Sequence, residues 1–212
     1  KLAVTPLGAS LSKEPNSFNS LHELGIRSPY FLFVGTLEPR KNLTILLAAY
    51  SNLPEAVKTI CKLVIVGGTG WGGIDLQNTI NRLHLDAHVI LLGHVNEQSL
   101  ATLYANANFL VMPSIYEGFG LPLIEAMSYG TPVLTSNNSS MPEVAGDAGL
   151  FVDAQDVNSI SDGLYQMISN TELRNKLASH AKPNAALFNW DESAKQLLNV
   201  LHTAITTGTH HH

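Results

Sequence analysis

Two carboxylates, two adjacent cations and two glycine-rich loops carry most of the chemistry legible in this chain. Glu117 and Glu125 flank the run Gly118-Phe119-Gly120-Leu121-Pro122-Leu123-Ile124. Gly118 and Gly120 suit a tight turn. Pro122 suits the first turn of a helix, where its missing N–H costs nothing. The backbone N–H groups near Gly120 and Leu121 then point outward at a helix start, a place that attracts anions. Glu117 falls on the loop before that helix and Glu125 inside its first turns. The two should therefore not touch but bracket a ligand whose phosphates sit at the helix start. A carboxylate accepts two hydroxyls well, so Glu125 suits a ribose and Glu117 a sugar. The plainer alternatives are a favourable helix-dipole charge for Glu125 and a solvated loop residue for Glu117.

The cations are Arg40 and Lys41, in Gly35-Thr36-Leu37-Glu38-Pro39-Arg40-Lys41-Asn42. They precede an expected helix, and cations there oppose its dipole unless an anion is present. A bound phosphate would account for them; two solvated surface charges is the bland alternative. The other loop reads Gly67-Gly68-Thr69-Gly70-Trp71-Gly72-Gly73. Gly68, Gly70 and Gly73 match the GxGxxG spacing, a weak signal by itself. A dinucleotide site also wants an acidic residue about 20 positions on, to hold ribose hydroxyls. The next strand ends in Leu92-Gly93-His94, without a carboxylate, which counts against NAD. The glycines still allow a backbone to approach a ligand closely; a flexible loop is the alternative. Of nine histidines, three close the chain, and the other six (His22, His84, His88, His94, His180 and His202) show no metal-ligand spacing and read as surface or partly buried residues.

The elements that position these residues alternate between apolar runs and helix-period segments. Strands are expected at 30–35, 63–66, 88–92, 108–112, 132–135 and 149–152. Helices are expected at 42–52, 74–83, 121–129, 157–169, 173–187 and 191–205. A further helix is capped by Asn96 and carries Leu100, Leu103, Tyr104 and Ala107 on one face. The opening segment, 1–27, is less regular. The strands are nearly all apolar with no alternation, as in parallel sheets covered on both faces. This pattern predicts an α/β fold: a doubly wound, Rossmann-like parallel sheet with helices on both faces. Ligands in such folds bind beyond the C-terminal ends of the strands, at the switch in strand order.

The chain has 212 residues, enough for one well-buried domain and short for two. Its composition, 45 % hydrophobic and 14 % charged, is globular. The net charge of −5 and the lack of a basic stripe argue against a nucleic-acid partner. No apolar run approaches the roughly 20 residues that cross a bilayer. The single cysteine, Cys61, cannot form an internal disulfide and reads as a buried thiol. The chain opens on Lys1, and His210, His211 and His212 follow Gly208-Thr209 like part of a purification tag. The expected organisation is one unit at 1–205 and a linker with tag remnant at 206–212.

Together these segments resemble the donor domain of glycosyltransferase family 4, which has the GT-B fold. The resemblance runs from Thr5-Pro6-Leu7-Gly8 to Phe188-Asn189-Trp190. Its strongest element is the E-x7-E motif, Glu117 to Glu125 in EGFGLPLIE. It is joined in order by VGTLEPRKN (34–42), VGGTGW (66–71), LLGHV (91–95), PSIYEGFG (113–120), GTPVLTS (130–136) and MPEVAGDAG (141–149).

The resemblance implies roles. Lys41 would bind the donor diphosphate and help the nucleotide diphosphate leave. Many members carry an arginine where this chain has Thr36, so Arg40 is expected to supply that charge. Glu125 would hold the ribose hydroxyls, and Glu117 would lie beside the donor sugar. Phe119, Gly120 and Leu121 would serve sugar and phosphates through their backbone. His94 and Val95 would lie near the base, and Gly35, Gly67 and Gly68 near the donor. The implied enzyme is a hexosyltransferase that works with retention and needs no metal or other cofactor. Its donor would be a nucleotide diphosphate sugar, with GDP-mannose favoured and a UDP-sugar the alternative. The acceptor would be a glycan or lipid-linked sugar, in polysaccharide assembly. Acceptor binding would fall to an N-terminal domain of the same polypeptide, outside this sequence. This half alone would be inactive. The expected location is cytoplasmic, peripheral at the membrane face through that other half. The E-x7-E pair is not read as a glycosidase acid and nucleophile. Rival readings are a GT-B epimerase, a non-catalytic binding module and a Rossmann dehydrogenase.

Overall fold

Six short apolar runs become the strands of one parallel sheet: β1 (Tyr30–Val34), β2 (Lys62–Val66), β3 (Val89–Gly93), β4 (Leu110–Met112), β5 (Val133–Ser136) and β6 (Gly149–Val152). Their order is β3-β2-β1-β4-β5-β6, with every pairing parallel. The computed structural model describes residues 5, 7–8, 14–15, 19–27, 29–72 and 75–208. Lys1, Pro6, Gly73, Ile74 and the closing residues 209–212, all used in reading the sequence, lie outside that set.

Connections between parallel strands must cross over, and here helices make most of the crossings. The helices are α1 (Asn19–Glu23), α2 (Leu43–Ser51), α3 (Glu55–Ile60), α4 (Leu76–Arg82), α5 (Glu97–Asn106), α6 (Leu121–Ser128), α7 (Met141–Ala145), α8 (Val157–Ser169), α9 (Thr171–Ala185) and α10 (Trp190–Gly208), with α2 to α7 lying in the crossings. Two apolar cores result. Phe31, Phe33, Leu63 and Ile65 point into one, with Leu46 and Leu47 of α2 and Ile160 and Leu164 of α8. Leu32, Val64, Leu110 and Met112 point into the other, with Tyr104 of α5 and Leu123, Ile124 and Met127 of α6. The doubly wound sheet expected from the sequence is therefore the fold. Its outer strands are the exception to full burial: Leu91 on β3 and Phe151 on β6 are each 38 % exposed, because an edge strand has a neighbour on one side only.

Helix starts follow capping chemistry. The Asn96 side chain accepts from the Ser99 N–H at 2.8 Å and opens α5, and Asp156 accepts from the Asn158 N–H at 2.8 Å and opens α8. Helix α2 starts one residue later than expected, because Asn42 takes a left-handed conformation (φ 63°) and closes a separate 3-10 turn, Pro39–Lys41. Helix α10 continues past Ile205 to Gly208. The short helices α1, α3 and α7 carry too few residues to show a period. His88, read as a surface or partly buried residue, is buried and lies with Nε2 2.8 Å from Glu55 Oε1. Cys61 is buried as expected, and its burial pushes the thiol pKa up to about 12.

Candidate functional site

The strand order reverses between β1 and β4, so the loops that leave these two strands lie side by side at the switch point. Backbone hydrogen bonds join the first three loops. The Gly35 N–H donates to Val66 O (3.0 Å), the Leu37 N–H to Gly68 O (3.1 Å) and the Gly67 N–H to Gly93 O (2.9 Å). At Gly67 (φ 149°) an added Cβ would stand 1.9 Å from Gly35 O, so only glycine lets these two loops meet. Gly35 in turn lies under the Lys41 side chain, within 3.4 Å of its Cε for a Cβ built there.

The 3-10 turn that carries the cations is tied to the β4 loop. The buried Asn42 side chain donates to Pro113 O (3.0 Å) and Ala154 O (2.7 Å), and the Ile115 N–H donates to Arg40 O (2.9 Å). The result is a compact charge cluster. Lys41, 6 % exposed, has Nζ 2.5 Å from Glu117 Oε1. Arg40 Nη1 donates to Glu117 Oε2 at 2.6 Å and Arg40 Nε to Glu38 Oε2 at 2.8 Å. The Thr36 hydroxyl donates to Glu38 Oε1 at 2.8 Å, and the Ser114 hydroxyl to Glu117 Oε1 at 3.0 Å. The Thr36 hydroxyl, against burial and with the charges of Arg40 and Lys41, holds the Glu38 carboxyl below its ordinary pKa. A buried ammonium is tolerated only when paired, and Glu117 supplies the pairing. The anion inferred from the cations is thus, in the free chain, the protein's own carboxylate.

Beyond Glu117 the loop is clamped by the segment before α7. The Ser139 hydroxyl donates to Glu117 O (2.6 Å), and the Ser140 hydroxyl to Phe119 O (3.0 Å). Gly120 is buried with φ 100°, and α6 starts at Leu121 without a side-chain cap on its N–H groups. Glu125 lies one turn further into α6, half-buried, with Oε2 accepting from the Tyr104 hydroxyl at 2.7 Å. Burial first, and then the Glu125 charge, push the Tyr104 hydroxyl pKa well up, so it stays protonated and donates.

The sequence-read residues thus fall into groups. Gly35, Arg40, Lys41 and Glu117 meet in one cluster, with Gly67 and Gly68 joined to it by backbone. Phe119 and Gly120 lead into α6, Leu121 opens it and Glu125 lies one turn further in. As expected, the two carboxylates take different partners. His94 is exposed on the loop after β3, and Val95 beside it is partly buried. Sequence reading missed Glu38, Ser114, Tyr104, Ser139 and Ser140. The serines before Met141-Pro142 carry a helix-start signal; nothing in the 21-residue spacing of Tyr104 and Glu125 does. Among the described residues, no group of three His, Cys, Asp or Glu could hold a metal, and no helix is long and apolar enough to cross a membrane.

Paired cations and a helix start at the switch point of a doubly wound sheet lie where α/β domains of this class bind their ligands. The particular family follows from comparison: the model of the glycosyl transferases group 1 matches residues 20–183, and the chain belongs to that family. It is 41 % identical over 170 residues to O-antigen chain mannosyltransferase B of Escherichia coli, covering 80 % of this chain and 45 % of the relative. It is 30 % identical over 214 residues to a D-inositol 3-phosphate glycosyltransferase of Corynebacterium urealyticum, covering 94 % and 50 %. Sucrose-phosphate synthase from Thermosynechococcus elongatus superposes with TM-score 0.78 at 28 % identity, over 96 % of this chain and 52 % of that one. Anabaena HepE, in complex with UDP-glucose, has the same fold at TM-score 0.79 and 22 % identity, over 92 % and 56 %. The chain therefore spans about half the length of these relatives.

Proposed function

We propose that this chain is the donor-binding half of a retaining hexosyltransferase that moves mannose from GDP-mannose to a glycan or lipid-linked acceptor. Residues 1–205 make the donor unit. The acceptor binds on a second domain of the full-length protein, without which the chain transfers nothing. The observation that carries this reading is the buried Lys41 and the adjacent Arg40, held on Glu117 next to the uncapped start of α6.

In this reading the diphosphate lies across the α6 N–H groups and the cations. As the bond from the sugar C1 to the phosphate oxygen breaks, negative charge grows on that phosphate. Lys41 and Arg40 neutralise it, so protein charges and a helix start carry the electrostatic stabilisation. The new bond forms between C1 and the acceptor oxygen, whose proton passes to the departing phosphate. Glu125 takes the ribose hydroxyls and Glu117 lies beside the sugar. Phe119, Gly120 and Leu121 offer backbone groups, and His94 and Val95 border the base.

The resemblance to an O-antigen mannosyltransferase supports mannose. The HepE structure, which holds UDP-glucose, supports a UDP-sugar as the second reading. Thermal unfolding with GDP, UDP, ADP, GDP-mannose, UDP-glucose and NAD in turn decides between them. A ligand at about 100 times its dissociation constant stabilises by roughly 2.7 kcal/mol. Selective stabilisation by GDP and GDP-mannose is expected. Stabilisation by UDP and UDP-glucose alone would replace the mannose reading, and stabilisation by NAD alone would overturn the donor site.

A further inference from the structure

The Tyr104 hydroxyl donates to Glu125, the carboxylate assigned to the ribose. We infer that Tyr104 is a positioning residue that fixes the plane of the Glu125 carboxylate for a vicinal diol. The inference rests on the donor-site reading of Glu125.

Tyr104 is held at three points. Its hydroxyl reaches Glu125 Oε2 at 2.7 Å, its ring stacks on Tyr129 with centroids 6.1 Å apart, and its carbonyl accepts from the Thr131 hydroxyl at 2.6 Å. It is 2 % exposed, so its rotamer has little freedom. Glu125 sits on a long flexible side chain and is only half-buried. An ionised carboxylate offers about four lone-pair sites. Tyr104 occupies one on Oε2, which leaves the sites on Oε1 and the rest of Oε2 for other donors. Two neighbouring hydroxyls on one sugar ring need that arrangement, one donor to each side of the carboxylate. A neutral phenol orients the group without cancelling its charge, as an arginine would. Glu125 therefore stays a full-strength acceptor.

The test titrates the chain and its Tyr104→Phe and Glu125→Ala variants with GDP, UDP and ADP and with the 2′,3′-dideoxy form of each. Phenylalanine keeps the ring contact and the backbone bond to Thr131. Tyr104→Phe is expected to weaken binding of the preferred ribonucleotide about fivefold and that of its dideoxy form less than about twofold. Equal weakening of both forms would assign Tyr104 a general structural role and overturn the inference. So would an unchanged affinity for both while Glu125→Ala weakens ribonucleotide binding. If Glu125→Ala leaves binding unchanged, or no nucleotide binds, the reading of Glu125 itself falls and the role of Tyr104 falls with it.

Discussion

Glu117 and Glu125 stand eight residues apart on either side of one helix start, yet their surroundings differ in kind. Glu117 is 7 % exposed and meets Lys41, Arg40 and the Ser114 hydroxyl. Glu125 is half-buried and accepts from the neutral Tyr104 hydroxyl. Around Glu117 two cations face two carboxylates, Glu38 included, and the formal charges cancel. Among the described residues, Glu125 takes part in no ion pair. The first region can take an anion only by rearranging its own pairs. The second is ready as it stands to accept hydroxyl donors. Within the first region the cations also differ: the Lys41 side chain is 8 % exposed and held, whereas that of Arg40 is 37 % exposed and has room to swing onto an entering phosphate.

The largest effect should come from neutralising the buried carboxylate. Glu117→Gln leaves Lys41 buried against an amide, a loss of about 3 kcal/mol, or about 6–12 °C in melting temperature. Glu125→Gln, which removes no ion pair among the described residues, should shift the melting temperature by less than about 2 °C. Equal shifts in the two variants would break the comparison.

Binding separates the regions next. Lys41→Ala and Glu125→Ala should each weaken GDP binding about tenfold or more, the loss of one charge-assisted hydrogen bond. Calorimetric competition with guanosine distinguishes them. Lys41→Ala should spare guanosine, which has no phosphate, and Glu125→Ala should weaken both ligands. The same pattern in both variants would contradict separate phosphate and ribose regions.

The smallest effect concerns Thr36. Its hydroxyl holds Glu38, and Glu38 holds Arg40. Because the Glu38 pKa is lower in the fold than in the unfolded chain, its contribution is present above about pH 4.3 and is lost as pH falls through the depressed value. Thr36→Val should raise that value, read by NMR titration of the Glu38 carboxyl, and weaken GDP binding about twofold. An unchanged titration would remove Thr36 from the cluster.

The sheet and its switch point were legible because apolar runs such as Tyr-Phe-Leu-Phe-Val at β1 and Leu-Val-Met at β4 have few other uses. Helix α8 was legible to the residue, since Asp156 opens it and Ile160, Leu164, Met167 and Ile168 repeat at helical spacing. Lys41, Arg40, Glu117 and Glu125 could be picked out by type and spacing. Their pairing could not. Lys41 and Glu117, 76 residues apart in sequence, are brought together by the neighbouring parallel strands β1 and β4, and Tyr104 reads in isolation as one more apolar position on α5. The buried His88 escaped for the same reason: its partner Glu55 lies on α3, a helix of six residues with too little length for a period.

A crystal structure of the chain with GDP tests the central claim most directly, that one ligand spans two unlike regions. The account predicts the β-phosphate within hydrogen-bond distance of Lys41 Nζ, an α6 N–H on a phosphate oxygen, and both ribose hydroxyls on Glu125. A GDP molecule lying in the reverse direction, or bound away from the β1 and β4 loops, would contradict it.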